Sequence, residues 1–126
     1  MGVVTIVLPI RTYSELNQRG HWTKRARRFG EQRFIAKTLA REAFGYYPLS
    51  HKVPGALSKW AVKLVRVSPG TLDDDNLRGA LKAVRDGIAD ALGVDDGGFC
   101  VRWEYHQEKG KCHEVRVEIE PGRGGA

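Results

Sequence analysis

Six stretches of the chain alternate between strand-like and helix-like spacing of apolar residues. Val3 to Leu8 is a β-branched, apolar run that reads as a buried first strand, ended by Pro9. From about Thr23 the spacing turns helical. Phe29, Ala36, Leu39, Ala40 and Ala43 share one side, Arg27, Lys37 and Arg41 the other, and Gly45 marks the stop. GYYPLSHKVPG then reads as a loop from its Gly and Pro content. Leu57 to Val67 alternates, setting Trp60, Val62, Leu64 and Arg66 against Ala61, Lys63, Val65 and Val67, which predicts a strand closed by Ser68 to Gly70.

A second helix is expected from about Asn76 to Leu92. Leu77, Leu81, Val84, Ile88 and Leu92 step by three or four residues, a core-facing stripe that Gly93 ends before a DDGG turn. Cys100 to His106 and Val115 to Glu120 predict two closing strands joined by a polar loop that includes QEKGK. The order β, α, β, α, β, β defines an α+β domain, a small mixed sheet backed by two helices. No internal repeat or linker divides residues 1–120, and the tail 121–126, PGRGGA, is expected to be disordered.

Charge narrows the partners. Lys and Arg number 21 against 15 Asp and Glu, a formal charge of +6, which favours polyanions such as nucleic acid. The segment RTYSELNQRGHWTKRARRFGEQRF concentrates this charge and interleaves Tyr13, Trp22 and Phe29. VVTIVLPI is too short and too uncharged at its start for a signal peptide, and no run approaches the ~20 apolar residues of a membrane span. Cys100 and Cys112 read as reduced structural thiols, so a cytoplasmic location is expected. The histidines at 21, 51, 106 and 113 are scattered. There is no Gly-rich phosphate loop, and hence no nucleotide cofactor is expected, and no HExxH or evident Ser/His or Cys/His pair.

The acids are less scattered. Asp73, Asp74 and Asp75 open the second helix, and Asp95 and Asp96 follow it. Singly, an N-cap and a turn explain them. Together they exceed what one cap needs, and three adjacent like charges repel. With the chain still extended at Asp73, Asp73 and Asp75 project to one side, leaving Asp74 to the helix start or solvent. Lys82 and Asp86 then fall nearly in line with Asp75 down the helix flank, with Asp90 beyond; on their own, Lys82 and Asp86 are an ordinary i,i+4 pair. Gathered carboxylates in a basic protein point to a hard divalent cation such as Mg2+, which is held by one or two carboxylates with water and substrate phosphate.

The run Asp73-Asp74-Asp75-Asn76, a D-x-D-N, followed by an amphipathic helix and a DD pair, resembles the RusA-type Holliday junction resolvases. These are small, basic, homodimeric, magnesium-dependent endonucleases of bacteria and their phages. The resemblance covers Trp60 to Ile119, with a looser start of strand, Pro9, Asn17 and basic helix. It implies Mg2+ ligation by Asp73, Asp75 and Asp96, with Asp95 as the neighbouring candidate, Asn76 as the motif asparagine and Asp86 as the helix aspartate. It also implies in-line attack of water on a DNA phosphodiester, leaving 5′-phosphate and 3′-hydroxyl ends. A C2 dimer supplies the two symmetric nicks that a four-way junction needs. One position departs: the family usually has a lysine three residues after the asparagine, where this chain has Gly79, and Lys82, one turn further on, is the candidate to replace it.

On this reading Lys24, Arg25, Arg27 and Arg28 contact DNA phosphates, and Trp22 or Phe29 packs on splayed bases. Two other readings compete. A catalytically inactive RusA-like DNA-binding module would bind junctions without product in Mg2+. An RNA-binding or ribosome-associated basic protein would show no preference for branched DNA.

Overall fold

The computed structural model describes residues 4–13, 22–44, 60–93 and 101–121. They form strand β1 (Val4–Leu8), helix α1 (Trp22–Phe44), strand β2 (Trp60–Ser68), helix α2 (Asp74–Leu92), strand β3 (Val101–Lys109) and strand β4 (Glu114–Pro121). The expected α+β order is therefore the observed one. The strands make one mixed sheet in the order β1-β4-β2-β3. β2 pairs parallel with β3 and antiparallel with β4, and β1 pairs antiparallel with β4. β1 and β2 thus point the same way, so residues 9–13 and 69–73 leave the sheet at one common end. The parallel β2–β3 pair requires a crossover, which α2 provides.

The core lies between the two helices and one sheet face. Leu77, Leu81, Val84, Ile88 and Leu92, the α2 stripe, are all buried against Ile6, Leu8, Val62, Leu64, Val101, Val115, Val117 and Ile119. Each such burial contributes about 2 kcal/mol. α1 adds small residues, Ala36 and Ala40, with Ile35 and Leu39 partly buried beside them, while Ala43 is exposed. Small side chains let the helices approach closely. A Cβ on Gly87 would stand 2.3 Å from the Arg33 carbonyl oxygen and 2.8 Å from the Ala36 Cβ. Gly93 caps α2 in the left-handed region (φ 69°), and its N–H returns to the Asp90 carbonyl.

Three features differ from the sequence reading. β2 is buried on both faces, not one. Ala61 and Val65, on the face without helices, are covered by long charged neighbours, including Arg116 beside Val65. Arg116 lies between Glu108 and Glu118 and holds Glu108 below the usual carboxylate range through its hydrogen bond. β3 runs to Lys109, because the polar residues expected to form a loop pair with β2, Gln107 opposite Arg66, Glu108 opposite Val67 and Lys109 opposite Ser68. β4 includes Pro121, opposite Trp60 at its end. The tail beyond it, the loop at 45–59 and Cys100 lie outside the described residues.

The helices are also tied by charge. Arg33 grips Asp90 with two hydrogen bonds, Nε to Oδ2 at 2.7 Å and Nη2 to Oδ1 at 3.0 Å. That hydrogen bond, with further help from the charges of Arg33, Lys37 and Arg41, lowers the Asp90 pKa. A carboxyl with a lowered folded-state pKa stabilises the fold above its unfolded pKa and loses that contribution as pH falls through the folded value. The expected outcome is that wild type melts above Asp90→Asn near neutral pH. The gap should begin to close below about pH 4, the unfolded Asp value. A gap in melting temperature that stayed constant from pH 7 to pH 2 would show that the pair does not stabilise the fold.

Candidate metal centre and nucleic-acid interface

β2 ends at Ser68, and the turn that follows is pinned from below by side chains on the helix-facing side of the sheet. Arg66 donates from Nη1 to the Gly70 carbonyl at 3.0 Å and from Nε to Thr12 Oγ1 at 2.9 Å. Gln107 clamps Leu72 on both sides, accepting from its N–H at 2.9 Å and donating to its carbonyl at 2.6 Å. Gly110 N–H bonds the Ser68 carbonyl at 3.1 Å. Three elements therefore fix the backbone immediately before the acidic run.

Asp73 is extended (φ −71°, ψ 169°), as expected, but it is also the N-cap of α2. Its Oδ1 accepts from the Asn76 N–H at 2.9 Å and from Asn76 Nδ2 at 2.8 Å. Asp74 serves the helix start, as expected, while the first helical residue lies two positions before the expected Asn76. Asn76, one turn in, supplies two donors that suit the earlier acid, so the helix begins at Asp74. Asp74 and Asp75 occupy its first turn, where unpaired N–H groups and the helix dipole favour carboxylates. All three aspartates are exposed, and none makes an ion pair among the described residues.

Further along α2 the acids are paired. Lys82 Nζ lies 3.5 Å from Asp86 Oδ2, as the spacing predicted, and Asp90 belongs to Arg33. Gly79, one turn after Asp75, faces open space: a Cβ there would meet nothing within 4 Å. Asp95 and Asp96 lie outside the described residues. Among the described residues no three His, Cys, Asp or Glu side chains gather as a metal cluster. In donor chemistry the acidic run still fits Mg2+, because Asp75 and the second oxygen of Asp73 are exposed hard ligands, and one or two carboxylates are its usual protein share.

The basic candidates sit on the first turns of α1. Trp22 is 67% exposed, and Lys24, Arg25 and Arg27 are exposed with it, while Phe29 is half-buried. Arg28 lies over the Tyr13 ring at 4.7 Å, and Arg11 lies over the same ring at 5.3 Å. Tyr13 follows Thr12, Thr12 bonds Arg66, and Arg66 bonds Gly70. Contiguous contacts thus link the basic helix to the acidic turn.

Three residues here escaped the sequence reading. Arg66 is buried, makes no ion pair among the described residues, and burial lowers its pKa. The available signal was its core phase within β2, where a polar residue needs a reason. Gln107 holds the same phase on β3, after Val101, Trp103 and Tyr105. Arg78 stands over the Tyr105 ring at 5.3 Å, a contact between helix and strand that spacing alone does not reveal.

Fold and site together define an α+β domain with an exposed carboxylate turn at one end of its sheet, beside an arginine-rich helix. No family model matches the chain. It is 40% identical over 102 residues to an uncharacterized protein of Xylella fastidiosa (strain Temecula1), a match covering 79% of this chain and 63% of that protein. The chain thus spans less than two thirds of that relative's length. Among the described residues no helix is long and apolar enough to cross a membrane.

Proposed function

We propose that this chain is a magnesium-dependent endonuclease of the RusA type, cutting Holliday junctions or related branched DNA as a homodimer. One observation carries the reading: Asp73, Asp74 and Asp75 form a contiguous, exposed run of carboxylates without ion pairs among the described residues, on a turn anchored by Arg66 and Gln107, in a chain of net charge +6. Elsewhere the same chain pairs Asp86, Asp90, Glu108 and Glu118 with cations. An anionic cluster left open in a basic surface suits a cation that arrives with a polyanion.

In this reading Asp73 and Asp75 hold the ion, and Asn76 fixes the Asp73 carboxylate by its two hydrogen bonds, leaving one oxygen for ligation. Bound Mg2+ supplies the activation of water and the neutralisation of phosphate charge that hydrolysis requires. Gln107 and Arg66 hold the turn, so that the carboxylates need not reorganise when substrate docks. Lys24, Arg25, Arg27 and Arg28 draw in the DNA backbone.

Asp96, with Asp95 beside it, completes the ligand set by resemblance. The 17 residues from Asp75 to Leu92 span about 25 Å of helix. Four more residues reach at most about 14 Å. Within one copy, even a fully extended return along α2 would leave Asp96 about 11 Å short of Asp75. A two-fold partner can supply Asp96 without that path, which favours a homodimer with sites composed from both copies.

The test is incubation of the purified protein with an end-labelled four-way junction, with and without Mg2+. Paired nicks with 5′-phosphate ends, dependent on Mg2+, are expected. Retention of the junction without product would favour the second reading, an inactive DNA-binding module. The engagement of Lys82 with Asp86 is the observation on that side.

A further inference from the structure

α2 and the sheet edge β3 enclose a cleft of about 350 Å³, lined by Asp74, Leu77, Arg78, Trp103, Glu104, Tyr105 and His106. It opens directly beside the acidic turn, since Asp74 forms part of its wall. Arg78 stands one turn after Asp74 and Asp75, on the side of the helix that carries them. Its side chain is exposed and makes no ion pair among the described residues, although Asp74 and Glu104 share the cleft. Its guanidinium lies 5.3 Å from the centre of the Tyr105 ring. Tyr105 is held in turn by Arg85, which donates from Nη1 to the Tyr105 hydroxyl and stacks over Trp103 at 4.9 Å.

From this arrangement we propose that Arg78 is a phosphate-binding residue of the DNA site, seating a backbone phosphate of the substrate strand in the α2–β3 cleft. Resting on an aromatic ring fixes the guanidinium and leaves its N–H edges for a ligand, so less freedom is lost on binding than for a mobile lysine. The planar fork matches two oxygens of one phosphate. Of the other cations along this helix, Lys82 is held by Asp86 a turn further from the carboxylates, and Arg85 is engaged with Tyr105 and Trp103. The open space at Gly79 leaves the approach beside Arg78 clear. This inference rests on the DNA-cutting reading for its location but not for its measurement.

The experiment compares wild type, Arg78→Ala, Arg78→Lys and Tyr105→Leu for binding of a fluorescein-labelled four-way DNA junction. Binding is measured by anisotropy in EDTA across a salt series, with circular dichroism as a check on folding. Cleavage is then assayed in Mg2+. Arg78→Ala should weaken binding about tenfold and reduce the slope of log K against log salt by about one phosphate contact. Arg78→Lys should keep the slope. Tyr105→Leu, which removes the platform and not the charge, should keep the slope with a smaller loss of affinity. A folded Arg78→Ala protein with wild-type affinity and slope overturns the inference, whether or not wild type cuts. An Arg78-dependent slope without wild-type cleavage overturns the endonuclease reading and upholds the phosphate contact. A wild type that neither binds nor cuts overturns both.

Discussion

Replacing Gly87 with alanine should lower stability by about 3 kcal/mol and the melting temperature by roughly 10 °C. The change adds a single methyl group, but it lands where α1 and α2 cross. The added Cβ would sit 2.3 Å from the Arg33 carbonyl oxygen, an atom of backbone that no rotamer change can move aside, and 2.8 Å from Ala36. The helices would have to separate, and the packing of Ala36, Val84 and Ile88 in the core would loosen with them. Gly79→Ala is the internal control, being the same substitution in the same helix at a site where a Cβ meets nothing. There the better helix propensity of alanine should raise stability by about 0.5–1 kcal/mol. Urea or thermal unfolding of the two variants should therefore move in opposite directions. Equal shifts would mean that the helices do not pack as closely as described.

Periodicity made much of the fold legible. The five-residue stripe of α2 was visible because Leu77, Leu81, Val84, Ile88 and Leu92 all face the core, and β4 because Val115, Val117 and Ile119 alternate cleanly. α1 was harder to read: its buried contacts come from Ala36 and Ala40, whose small size reflects close helix approach more than hydrophobicity. The same holds for Gly87, which offers no sequence signal except as a poor helix former. The exact helix start was missed, since three consecutive aspartates are all acceptable caps and only the reach of Asn76 selects Asp73. The supports of the acidic turn were not legible because Gln107 acts on the backbone of Leu72, 35 residues away, and Arg66 is set by Thr12, 54 residues away. Their polar identity at core phase was the one trace they left.

Asp75→Asn should reduce junction cleavage in Mg2+ by at least about a thousandfold, the loss that ~4 kcal/mol of transition-state stabilisation represents. Asp75 is a cleaner target than Asp73. Removing Asp73 also removes a helix cap, at a cost of about 1 kcal/mol, whereas Asp75 makes no hydrogen bond or ion pair among the described residues. The variant should fold as wild type does and bind the junction as tightly or more so, because one negative charge facing phosphate is gone. Cleavage at the wild-type rate would remove Asp75 from the site. The same variant tests how the sites are composed. Inactive Asp75→Asn and Asp96→Asn proteins, mixed and refolded together, form heterodimers. If each site draws Asp75 from one copy and Asp96 from the other, a heterodimer combines both losses in one site and leaves its second site intact. Single-strand nicking should then return. If each copy builds its own site, both sites of the heterodimer stay broken and the mixture remains inactive, since every ligand set then lacks one carboxylate.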